Sequence, residues 1–115
     1  MDPGVTHRYE IEFDVPAARR GDFEGWLSSA VVQWAGHESV ARFETYRNET
    51  AMTSEIKFVF AFETLCDWAQ FVESDEHRSA AEHLARLTDH RDAVLWRQGS
   101  VKLEPTRGVS TDDAG

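Results

Sequence analysis

Apolar and polar positions alternate over residues 7–15, where Tyr9, Ile11, Phe13 and Val15 interleave with Arg8, Glu10, Glu12 and Asp14. Period two predicts a strand with one buried face, ended by Pro16. From residue 17 the period changes. Phe23, Leu27, Ala30, Val31 and Trp34 recur at helical spacing, with Trp26 at the edge of the stripe, and Gly36 stands where a helix over 17–35 would stop. Alternation returns over 40–47 (Ala41, Phe43 and Thr45 against Arg42, Glu44 and Tyr46). A polar, turn-like stretch, 48–54, leads to the most apolar strand, 55–63, with Ile56, Phe58, Phe60 and Phe62 on one face and Lys57, Val59 and Ala61 on the other. Thr64 is a good cap for a second helix over 64–88. Its stripe is Leu65, Trp68, Ala69 and Val72 with Phe71 alongside, a break near Ser74-Asp75, then Ala80, Ala81, Leu84 and Leu87. A last strand is expected from Ala93 to about Leu103, with 93–100 its firmest part and a bend at Gly99.

The order β-α-β-β-α-β, with two right-handed crossovers, predicts an α+β fold. It is a ferredoxin-like plait, a four-stranded antiparallel sheet with two helices on one face. Residues 1–6 read as an N-terminal extension, 7–103 as the domain and 104–115 as a flexible C-terminal tail. The helix-facing set is Tyr9, Ile11, Phe13, Phe43, Phe58, Phe60 and Phe62, joined by Val94 and Trp96. The other face then carries Arg8, Glu10, Glu12, Arg42, Glu44, Tyr46, Lys57, Val59, Ala61, Leu95 and Arg97. Two readings stand for that face. It is solvated, as an antiparallel sheet allows, or two copies oppose these faces across a two-fold axis with Val59, Ala61 and Leu95 in the interface.

Composition narrows the function classes. The chain has 115 residues, 12 basic and 21 acidic, and a formal charge of −9. Clustered Lys and Arg are absent, so nucleic acid is not an expected partner. No apolar run reaches the ~18 residues of a membrane helix, and the N-terminus lacks the basic start and apolar core of a signal peptide, so the expected compartment is the cytoplasm. The acidic excess also suits a salt-adapted host or an ordinary acidic protein equally. One cysteine, Cys66, excludes an internal disulfide and paired-cysteine zinc frameworks.

Two stretches carry a resemblance. Gly36-His37-Glu38-Ser39-Val40-Ala41-Arg42-Phe43 forms a helix, glycine, strand junction. Residues 60–77, from Phe60-Ala61-Phe62-Glu63-Thr64 through Trp68 and Phe71 to Ser74-Asp75-Glu76-His77, form a strand, an acidic link, a helix and a break. Over roughly 7–103 the chain resembles the dimeric α/β-barrel superfamily. That group includes antibiotic-biosynthesis monooxygenases, haem-degrading monooxygenases, stress-responsive barrel proteins and small isomerases or cyclases. The resemblance implies a homodimer with a ligand site between helices and sheet. It implies either a cofactor-independent monooxygenase acting on an aromatic or polyketide-like molecule, or a non-catalytic ligand-binding or stress-related homodimer. Haem-degrading members use an Asn on the first strand and a Trp and a His on the second helix. Here the first strand has no Asn, the Trp-like position is about Phe71, and the His-like position falls near Ala81. His83 is two residues off and turned roughly 160° away. No haem or other cofactor is therefore expected.

His77 is the candidate catalytic residue. It shares a helix face with Ala80, Ala81 and Leu84, and an imidazole there can relay a proton. Trp68, Phe71, Tyr46 and His83 are the candidate ligand-binding residues, the aromatics suiting a flat ring. His83, His90 and Asp89 have no spacing diagnostic of a metal, and none is expected. His37, His7 and His90 read as loop or strand-end residues. Cys66, without a basic neighbour, reads as inert.

Overall fold

Strands form where the alternation runs. In the computed structural model, which describes residues 5–29, 31–50 and 55–99, they are β1 (His7–Asp14), β2 (Arg42–Arg47), β3 (Ile56–Phe62) and β4 (Asp89–Arg97). A 3-10 turn, Ala17–Arg19, leads into α1 (Arg20–Ser29) and α2 (Val31–Ala35). The second helical region divides into α3 (Leu65–Val72) and α4 (Asp75–Leu87). The sheet order is β2-β3-β1-β4 with every neighbouring pair antiparallel, the ferredoxin-like arrangement expected of the element order. The expected reach of the last strand to Val101–Leu103, the extension at 1–4 and the tail lie outside the described residues.

Local chemistry explains the element ends. Gly36 closes α2 with its N–H on the Val32 carbonyl at 2.9 Å. A Cβ there would stand 2.8 Å from that carbonyl oxygen, so the close return is open to glycine alone. Thr64 caps α3 by accepting from Asp67 N–H at 3.0 Å. The break between α3 and α4 is built by Ser74, whose hydroxyl donates to the Phe71 carbonyl (2.6 Å) and accepts from His77 N–H (3.1 Å). One side chain thereby ends one helix and starts the next.

The core lies between the helices and one sheet face. Phe13, Phe58, Phe60, Phe62 and Phe71 are almost wholly excluded from solvent, as is Trp34 of α2. Each such side chain contributes roughly 1.5–3 kcal/mol by burial. Trp34 packs on both Phe58 and Phe60, at 5.8 and 4.9 Å between ring centres. Leu65, expected in the apolar stripe of α3, is instead 53 % exposed, and the stripe centres on Phe71.

The fourth strand corrects one expectation. It begins at Asp89, not Ala93, and its faces are exchanged. Tyr9 lies opposite Leu95 and Ile11 opposite Ala93, while Arg8 lies opposite Trp96 and Glu10 opposite Val94. Val94 and Trp96 therefore stand on the open face, exposed to 38 % and 56 %, and not in the helix-side core. The cause is a bulge between Glu12 and Asp14, where the register shifts by one. His90, with φ at 58°, supplies the left-handed kink. Had the Asp14–Asp89 register continued, Val94 and Trp96 would have faced the helices. One extra residue reverses every side chain beyond it.

Elsewhere the open face has the expected members. Val59 stands between Glu10 and Glu44, and Ala61 between Arg8 and Arg42. Both small apolar side chains are buried. Around them run ion pairs: Arg8–Glu10 at 3.1 Å, Lys57–Glu10 at 3.5 Å and Arg42–Glu44 at 3.5 Å. Tyr46 donates to Glu44 at 2.9 Å. No helix among the described residues is long and apolar enough to cross a membrane.

Candidate ligand site

His77 owes its position to the helix break. Ser74 starts α4 at Asp75, so the third residue of that helix turns inward beside Phe71. Its ring lies 4.8 Å from Phe71, 5.8 Å from Trp34 and 6.1 Å from Tyr9, and the residue is 9 % exposed. The Trp34 indole N–H donates to His77 Nδ1 at 3.0 Å. Burial among rings disfavours the charged form and lowers the His77 pKa from 6.5 to about 4. The imidazole is therefore neutral at pH 7.

Tyr9 joins His77 to Trp68. Its ring meets Trp68 edge-on at 6.0 Å as it meets His77 on the other side, and its own burial raises the phenol pKa. Trp68 Nε1 is sealed from solvent and has no hydrogen-bond partner among the described residues. A buried donor left so costs about 1–3 kcal/mol, and such groups are few in native proteins. The cluster is thus aromatic, anchored on β1, α2, α3 and α4, and holds the sealed Trp68 donor.

The structure brings His77, Phe71 and Trp68 together. Phe71 has no exposed surface and also packs on Phe60 and Phe62. The other two candidates stand apart. Tyr46 is on the opposite face of the sheet, bonded to Glu44 with Lys57 Nζ 5.6 Å from its ring centre. That hydrogen bond to a carboxylate raises its pKa. His83 stacks on Trp26 at 5.3 Å and 18° between planes. It lines a small groove of about 150 Å³ with Gln33, Glu76 and Ser79 on the outer side of the helices. Among the described residues no three His, Cys, Asp or Glu side chains form a metal-binding group, and Cys66 is exposed with its thiol free.

Tyr9 and Trp34 complete the cluster and were not among the sequence candidates. Both lie on predicted apolar stripes, so their inward direction could be read. Their polar contacts could not, because 43 residues separate Trp34 from His77.

No family model and no curated protein matches the sequence. Solved structures do match its fold. A dimeric ferredoxin-like protein of unknown function from Thermobifida fusca superposes with a TM-score of 0.68 at 15 % identity, over 84 % of this chain and 94 % of that one. A protein of unknown function from Bacteroides thetaiotaomicron, described as a possible oxidoreductase, gives 0.66 at 8 % identity, over 82 % and 98 %. A dabb family protein with a ferredoxin-like fold from Mesorhizobium loti gives 0.70 at 14 % identity, over 87 % and 99 %. This chain has the ferredoxin-like fold of those proteins across nearly their whole length.

Proposed function

We propose that this chain is a homodimeric binding protein for a flat aromatic small molecule. The ligand is held between α3, α4 and the sheet by Tyr9, Trp68 and His77. The observation that carries this reading is the sealed Trp68 Nε1–H, a donor without an acceptor at the edge of an aromatic cluster. A ligand oxygen resolves it, and ring faces nearby favour a planar partner. The dimer forms through the open sheet face. Support comes from Val94 and Trp96, exposed on β4 across Glu10 and Arg8 of β1 from the small Val59 and Ala61, and from the dimeric state of the Thermobifida neighbour. Titration with a polycyclic aromatic ketone, read by tryptophan fluorescence, tests the site. Quenching that saturates at one ligand per chain and weakens in Trp68→Phe is expected, and its absence at ligand saturation overturns the reading.

A second reading is cofactor-independent oxygenation of the same molecule, favoured by the description of the Bacteroides neighbour. Dioxygen would convert a CH2 flanked by aromatic rings to a carbonyl, its second oxygen leaving as water with both hydrogens. His77 is then a poor proton acceptor, since its Nδ1 is engaged and its pKa lies near 4. Oxygen uptake in the presence of anthrone, with anthraquinone formed in equal amount, separates catalysis from binding.

A further inference from the structure

We infer that Trp34 is a positioning residue. Its indole N–H, bonded to His77 Nδ1, holds the imidazole in the Nε2–H form, so the site offers a donor and takes an aromatic bearing a carbonyl oxygen in preference to one without it. The inference rests on the binding reading above and names the ligand chemistry.

An indole N–H can only donate. At 3.0 Å its partner nitrogen must carry a lone pair, so the ring proton sits on Nε2. The alternative tautomer, and the imidazolium, would set two N–H groups against each other in a place where both residues are buried. Phe71 and Tyr9 bracket the ring, and among the described residues Trp34 is its one hydrogen-bond partner. The Nε2–H has no partner among the described residues. The Trp68 N–H, across the Tyr9 ring, has the same polarity. The Tyr9 hydroxyl between them can donate or accept, so the two nitrogens, which can only donate, favour a ring bearing a carbonyl oxygen over one without it.

Two measurements test this. In the unliganded protein, nitrogen NMR of His77 should show the pattern of an Nε2–H tautomer at pH 7. A protonated Nδ1 or an imidazolium there would overturn the inference without any ligand being involved. Trp34→Phe should release Nδ1 and move the tautomer balance. If that variant does not fold, the wild-type spectrum still decides. The second measurement compares 9-fluorenone with fluorene, which match in shape and differ by one carbonyl oxygen. Fluorenone should bind about tenfold tighter, the usual worth of a hydrogen bond to an otherwise unpaired donor. His77→Asn keeps an acceptor for Trp34 and loses the reach of Nε2, so it should fold and lose most of that margin. Equal binding of the two compounds to the wild type, or an unchanged margin in His77→Asn, overturns the donor role while leaving the aromatic site in place. If neither compound binds and the Nε2–H pattern is present, the binding reading fails and the tautomer assignment stands.

Discussion

At the scale of the residue, His77 shows how burial and a single hydrogen bond set a side chain's chemistry. Its pKa is pushed down to about 4 by desolvation, whereas in the unfolded chain it returns to about 6.5. Between those values the unfolded state binds the extra proton. The contribution to stability is thus complete above pH 6.5 and is lost as pH falls toward 4, by about 3 kcal/mol at most. Urea denaturation at pH 7.5 and at pH 4.5 should show that loss, and the difference should shrink in His77→Asn. Phe71 lies deeper still, against Phe60, Phe62 and His77. Phe71→Ala should cost about 3–5 kcal/mol, read from the denaturant midpoint, because the cavity is hemmed in by rigid rings.

At the scale of the element, the α3–α4 break and the β4 bulge decide what faces the site. Ser74 serves two helix ends at once. Ser74→Ala should lower stability by about 1 kcal/mol and weaken aromatic-ligand binding as well, since His77 hangs from the turn it caps. Binding unchanged beside lowered stability would confine Ser74 to a structural role. The bulge depends on a left-handed residue. His90 holds φ at 58° and pairs with Asp14 at 3.0 Å on an exposed edge, a contact of small value there. His90→Val should destabilise by more than about 1 kcal/mol, because a branched side chain resists that backbone region. His90→Gly should be tolerated. The two variants measured side by side in thermal unfolding distinguish backbone strain from the loss of the Asp14 contact.

At the scale of the molecule, the open face is a mosaic of ion pairs over buried Val59 and Ala61, with Trp96 and Val94 standing at its β4 margin. If two copies join there, light scattering should report twice 13.1 kDa, and Trp96→Glu should return the monomer with its circular dichroism intact. A Trp96→Glu protein that still elutes as a dimer places the interface elsewhere. Salt should modulate this association only modestly, because Arg8, Glu10, Arg42, Glu44 and Lys57 on the face already pair within the same chain.

The hydrophobic period along the chain was enough to determine four strands, the helical regions, the place where the second one breaks and the face of β1, β2 and β3 that turns to the core. These are local properties: a period of two or 3.6 is written into neighbouring residues, and Pro16, Gly36, Thr64 and Ser74 mark the ends through their own backbone and side-chain chemistry. The alternation also turned Tyr9 toward the helices. Which way β4 faces was decided by the tertiary structure, since it hangs on one bulged residue paired across the sheet and pattern alone fits either parity. The same holds for the polarity of the site. Trp34, His77, Tyr9 and Trp68 come from four separate elements, and whether a buried nitrogen finds a partner depends on distances that only the packed chain sets.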